Sequence, residues 1–186
     1  MAKRFTGIER ASSTGDIYFI STYPPRNCGI ATFTSDLSHA VGEELGNEHI
    51  HIVAINNRAE GYDYPEEVSF EISQNQIHDY RLAAEYINLS NAKVVSVQHE
   101  FGIFGGEKGI YITHLLANLK KPVVTTLHTV LKNPEDEYKR VLIEVAKLSQ
   151  RLSYEPSSRG YSTRRIWYTK GKDSFYTSWR ARCCFC

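Results

Sequence analysis

Between residues 16 and 148 the chain alternates short β-rich apolar runs with stretches whose apolar side chains recur every three or four positions. This alternation restricts the fold more than any other feature, because a period near 3.6 belongs to helices and short β-branched runs bounded by turn residues belong to buried strands. Residues 16–22 (DIYFIST) read as a first strand, closed by Tyr23, Pro24 and Pro25, since proline cannot donate to a ladder. From Phe33 the pattern changes: Phe33, Leu37, Val41 and Leu45 make one helical stripe, with Thr32 or Thr34 available as its N-cap. Residues 49–56 (HIHIVAIN) are the second strand, and a weaker one is expected over 68–72. Ile77, Tyr80, Ala84 and Ile87 give the next helical face, residues 93–98 (KVVSVQ) a strand, and Ile112, Leu115, Leu116 and Leu119 another helix. Residues 122–127 (PVVTTL) are again a strand, and Tyr138, Val141, Leu142, Val145 and Leu148 mark the fourth helix.

Strands alternating with helices imply an α/β fold: a Rossmann-like parallel sheet with helices on both faces. Right-handed crossovers then bring every strand-to-helix loop to one edge, where open α/β sheets bind ligands. The expected organisation is an N-terminal extension over 1–15, this domain over 16–150, and a tail over 151–186 that does not belong to it.

Charge separates the tail from the body. Residues 1–150 carry 14 Lys and Arg against 19 Asp and Glu, whereas residues 151–186 carry 8 against 2. The formal net charge of +1 gives no pull toward nucleic acid. No signal-peptide pattern opens the chain and no apolar run is long enough for an integral membrane segment. The expected location is cytoplasmic, free or peripheral at a membrane. Cys183, Cys184 and Cys186 crowd the C-terminus, but they lack a second ligand pair at zinc-finger spacing, so no metal site is expected.

Three loops on the ligand edge carry candidate chemistry. The first, residues 23–33, contains Asn27, Cys28, Gly29 and Ile30 at the start of a helix. A glycine there lets backbone amides approach an anion. The loop is neither a dinucleotide fingerprint nor a Walker P-loop, and by itself it is equally compatible with a tight turn and with a phosphate site. The second, residues 98–106, holds His99 and Glu100 and then Gly102, Gly105 and Gly106 among two phenylalanines, and reads as a shaped, exposed loop. Ile103 stands where a zincin would place its second histidine. The third follows the strand at 122–127 and opens with His128, whose place at a strand tip favours a site role.

Taken together, STYPPRNCGIATFTSDL (21–37), VQHEFGIFGGEKG (97–109) and KPVVTTLHTVLKNP (121–134) resemble, in order and spacing, a mannosyltransferase-like branch of glycosyltransferase family 4. The resemblance covers roughly residues 16–150 and implies the N-terminal half of a retaining GT-B enzyme, which moves a hexose, mannose among the candidates, from a nucleotide-sugar donor to a hydroxyl. It implies that Asn27, Cys28, Gly29 and Ile30 face the donor diphosphate and that His128 is the active-site histidine against the donor sugar. His99, Glu100, Gly102, Gly105 and Gly106 would line the acceptor side. The nucleotide sugar acts as co-substrate, with a saccharide or lipid-linked acceptor as partner and no further cofactor. The family's Glu-x7-Glu motif lies in a second domain, so this chain alone is expected to be inactive. The alternative is a non-catalytic Rossmann-like module that binds an acceptor or partner. A dehydrogenase or kinase is disfavoured by the missing glycine fingerprint and Walker lysine.

The tail, with only Leu152 and Ile166 as aliphatic residues, is expected to be poorly ordered and to leave the sheet with an unpaired edge. Its codon sets from Ile166 to Cys183, re-read from the second base, permit Tyr-Gly-Ile-Pro-Lys-Glu-Lys-Ile-Val-Phe-Ile-Pro-His-Gly-Val-Pro-Asp. Both tryptophans, Trp167 and Trp179, become the two glycines of that segment. Sequencing the gene checks this frameshift: shifting one base near codon 151 should open a long frame encoding Ile-Pro-His-Gly and, further on, Glu-x7-Glu. A stop in every downstream frame would rule it out.

Overall fold

The computed structural model describes residues 15–131, 133–154 and 168–169. Eleven elements follow in chain order: β1 (Asp16–Ser21), α1 (Gly29–Leu45), β2 (Ile50–Asn56), β3 (Val68–Ser73), α2 (Ile77–Leu89), β4 (Ala92–His99), α3 (Ile112–Asn118), β5 (Val123–Leu127), α4 (Asp136–Leu148), β6 (Arg151–Tyr154) and β7 (Tyr168–Thr169). The strand order is β3-β2-β1-β4-β5-β6-β7. The first six strands are all parallel and β7 runs antiparallel to β6. Among the described residues no helix is long and apolar enough to cross a membrane.

Strand alternation divides the core between the two faces of the sheet. Tyr18 and Ile20 of β1 and Val53 and Ile55 of β2 point to the side covered by α2, α3 and α4. Phe19, Ile52 and Ala54 point to the other side, where Leu37 and Val41 of α1 pack on them. This is the α/β Rossmann-like arrangement expected from the sequence. It follows from right-handed crossovers: stepping from β1 to β2 and stepping from β4 to β5 go in opposite directions along the sheet, so their helices cover opposite faces.

Two boundaries differ from the sequence reading. Helix α1 begins at Gly29, not Phe33, and its N-cap is Cys28, whose Sγ accepts from the Ala31 amide at 3.4 Å. Thr34 is buried inside the helix and donates to the Ile30 carbonyl at 2.7 Å. The apolar stripe could not show the first turn, because Gly29 and Ala31 contribute little to a periodic pattern.

The second difference lies at residue 150. Arg151–Tyr154 forms a sixth strand in parallel register with Val124–Leu127, so β5 is not an unpaired edge and the sheet continues past residue 150. The turn after α4 makes this possible. The Gln150 amide donates to the Val123 carbonyl at 2.9 Å, and the Gln150 side chain accepts from the Val123 amide. Leu152 is then buried, and Ser153 meets the Thr126 hydroxyl at 2.9 Å. One inward leucine and one hydroxyl pair suffice where the neighbouring strand already supplies the ladder. The expectation of disorder beyond this strand falls largely on residues outside the described ones.

The loop after β4 is bound down from several sides, not displayed as an exposed loop. Phe101, Ile103, Phe104 and Gly105 are buried. The Gly105 amide donates to the Tyr80 hydroxyl at 2.9 Å, and that hydroxyl donates to the Gln74 carbonyl at 2.9 Å. Gln74 returns the connection, its Nε2 donating to the Gly102 carbonyl at 3.1 Å. A Cβ added at Gly105 would lie 1.8 Å from the Gln74 carbonyl oxygen, a backbone atom that cannot rotate away. Gly105→Ala is therefore expected to destabilise the domain by about 2 kcal/mol or more, read as a lower midpoint in urea unfolding; an unchanged midpoint would contradict this packing.

Candidate functional site

Strands β1, β4 and β5 are neighbours, so the loops that follow them meet at one edge. Ile20 pairs with Val97 and His99 with Leu127, which puts the ends of the three strands at nearly one level. The His128 amide continues the ladder, donating to the His99 carbonyl at 3.0 Å. From the β1 side, Phe33 of α1 sets its ring edge-on to the His128 imidazole, 4.7 Å between centroids. Gly29 lies one helical turn before Phe33, so the start of α1 and His128 share the crevice where the crossover direction reverses.

His128 is half-buried and oriented by a partner the sequence reading did not identify. Its Nε2 lies 2.9 Å from Oε1 of Gln98, a fully buried side chain whose own Nε2 donates to Ser96 Oγ at 3.0 Å. With the amide turned this way, His128 donates from Nε2, and in its neutral form the lone pair belongs to Nδ1. Ser96 and Gln98 lie on the sheet face opposite Val95 and Val97, so alternation alone places them beneath His128.

Glu100 joins two loops. One carboxylate oxygen accepts from the Phe101 amide at 3.0 Å and the other from the Thr129 hydroxyl. A half-buried carboxylate tied to both the β4 and β5 loops fixes their separation.

The candidate residues divide into open and buried groups. Asn27 and Gly29 are exposed, and Cys28 and Ile30 are half-buried. A Cβ built on Gly29 meets nothing within 4 Å, and Gly102 is equally open. Gly106 is exposed, with φ 76. His99 and Gly105, expected to line the acceptor side, are both buried. Gly105 is packed against Gln74, as above. His99 has no exposed surface, its ring standing between Phe101 at 5.1 Å and Phe104 at 5.8 Å between centroids. Both of its ring nitrogens lack a hydrogen-bond partner. The strand's alternation sends His99 into the α2–α4 face, away from the side occupied by Gln98 and His128.

A second group of residues stands between the tips of β1 and β2, around a cavity of about 510 Å³. Arg26, Asn27 and Cys28 line it from one side and Asn57, Arg58 and Tyr62 from the other. Arg26 was passed over in the sequence because its neighbour across the sheet is 29 residues away: its Nη1 donates to the Ile55 carbonyl at 2.8 Å.

Compared with known proteins, the chain matches no family model and no curated protein.

Burial holds the His99 imidazole neutral, pushing its pKa down from 6.5 to about 4, with the nearby His128 a further cause. The folded state therefore refuses a proton that the unfolded chain accepts below pH 6.5. Stability should fall as the pH drops from 6.5 toward 4, by about 3 kcal/mol from this residue. His99→Leu removes that contribution. Urea unfolding at pH 7 and pH 4.5 should show wild type losing more stability than the variant across the interval; equal losses would mean that the imidazole is not buried in neutral form.

Proposed function

We propose that this domain is the N-terminal half of a retaining GT-B glycosyltransferase, one that transfers a hexose from a nucleotide sugar to a hydroxyl acceptor. The observation that carries the reading is Gly29. It is the first residue of a 17-residue helix, its backbone is helical, and among the described residues nothing occupies the space a side chain would take. The fold does not require a glycine there, whereas an anion drawn up to the amides at the helix N-terminus does.

The remaining chemistry fits that placement. A diphosphate leaving group develops negative charge as the glycosidic bond breaks, and the N-terminal amides and dipole of α1 offer a fixed positive end toward it. His128, held by Gln98 and flanked by Phe33, stands at the tip of β5, beyond β4 from the start of α1. In this reading its imidazole contacts the sugar between the diphosphate and the acceptor. Glu100, tied to Thr129, fixes the width of the opening at the acceptor side. The protein's contribution is positioning and charge stabilisation, with the donor phosphate assisting the incoming hydroxyl.

Gly29→Ala separates ligand binding from folding. The added methyl meets open space and alanine favours the helix, so stability should stay within about 1 kcal/mol of wild type or rise. Binding of UDP- or GDP-hexose, followed by amide chemical shifts at residues 27–30 and 128, should weaken about tenfold. Nucleotide sugars that leave those amides unmoved in wild type, or that bind the variant equally well, would sink the proposal.

A further inference from the structure

The cavity between the tips of β1 and β2 shares Asn27 and Cys28 with the glycosyl-transfer reading, which leaves its remaining polar groups, Arg26, Asn57, Arg58 and Tyr62, without a role. Its walls carry two guanidinium groups, two carboxamides and a phenol, and no carboxylate. Among the described residues neither Arg26 nor Arg58 forms an ion pair, although the body of the chain is acidic, with 14 Lys and Arg against 19 Asp and Glu in residues 1–150. Two uncompensated cations facing one cavity repel each other, and an anionic occupant would relieve that repulsion.

Both groups are held in place. Arg26 is half-buried, and its bond to the Ile55 carbonyl at 2.8 Å uses one donor of the fork and leaves the planar group fixed. Arg58 is exposed but lies over the Tyr62 ring, 4.8 Å from its centroid. That ring is itself anchored, the Tyr62 hydroxyl donating to Asn57 Oδ1 at 2.9 Å. With its oxygen engaged, the Asn57 carboxamide has its NH₂ to offer. Such preorganised donors lose less entropy on binding than free surface lysines do.

We propose that this cavity is an anion site for the phosphate group of a phosphorylated small molecule, held between the forks of Arg26 and Arg58. Two forks of N–H donors match the geometry of a phosphate, whose oxygens accept several charge-assisted bonds at once. A cavity of about 510 Å³ leaves room beyond the phosphate for a sugar or nucleoside. The site lies on the β2 side of Cys28, whereas His128 lies on the β4–β5 side, so its occupant would enter the crevice from the opposite flank. The inference does not depend on sugar transfer.

The test is a titration of the full chain with glucose 6-phosphate and, separately, with UDP, following the Nε–Hε resonances of Arg26 and Arg58 together with the amides at 57 and 58. Glucose 6-phosphate should shift these resonances and glucose should not. Arg58→Ala, an exposed position that leaves the fold intact, should weaken binding at least about tenfold. Arg26→Lys, which keeps the charge and loses the fork, should weaken it as well. Lys147→Ala on α4, far from the cavity, should change nothing and so excludes a general charge effect. If the Arg58-dependent shifts come with UDP, the phosphate is a nucleotide's; if they come with glucose 6-phosphate alone, it belongs to a phosphorylated saccharide. Binding that is unaffected in both arginine variants, or lost equally in Lys147→Ala, would overturn the site. The Gly29→Ala variant should leave glucose 6-phosphate binding intact, so failure here is distinguishable from failure of the diphosphate reading.

Discussion

The parallel pairing of β4 with β1 on one side and β5 on the other is the constraint on which the rest of this structure depends. It places three strand ends side by side, and chain handedness then decides which face each following helix takes. Helix α1 must cover the face opposite α2, α3 and α4. On the α1 side, β1 and β2 are apolar beneath Leu37 and Val41. Further across the same face the strands turn polar, with Ser96, Gln98, Thr126 and Ser153 linked by hydroxyl and amide bonds. His128 stands at the upper end of that polar row because it continues β5 by one residue. Its partner Gln98 is supplied by the neighbouring strand through register alone.

Electrostatics follow the same geometry. Helix α1 directs the positive end of its dipole at the crevice, and the described residues at its N-terminus include no carboxylate in the first turn. Arg26 lies just before it and reaches sideways to the β2 carbonyl row. The acids of the site are held elsewhere: Glu100 is tied to Phe101 and Thr129, and Glu71 accepts from Asn56. An acidic body thus presents a locally positive rim on one flank of its ligand edge. Such an arrangement favours anionic ligands without requiring a basic protein.

Much of this was legible in the residues. Period 3.6 and short β-rich runs gave the order of strands and helices, and topology then gave the edge. What could not be read has a common physical character. The Gln98–His128 bond joins residues 30 apart, and the Arg26–Ile55 bond residues 29 apart; each depends on strand register that local pattern does not encode. The burial of His99 is a question of parity. Moving one residue along β4 exchanges the α1 face for the α2–α4 face, so a motif of consecutive residues 98–100 sends its side chains to different places. Strand β6 was missed for a related reason: a four-residue strand beside an existing ladder needs only Leu152 inward, too weak a periodic signal to register.

The glycines show how far the division between fold and ligand can be taken. Gly105 and Gly29 looked alike in the sequence, each part of a loop after a strand. At Gly105 the chain itself occupies the missing side chain's place, through the Gln74 carbonyl and the Tyr111 ring. Packing therefore accounts for a glycine at this position. At Gly29 no described residue approaches, and the helical backbone would accept alanine. Among the described residues no packing contact calls for glycine there. The first amides of α1 have no helix carbonyl below them to receive their protons, and it is there that the proposed anion would be drawn up.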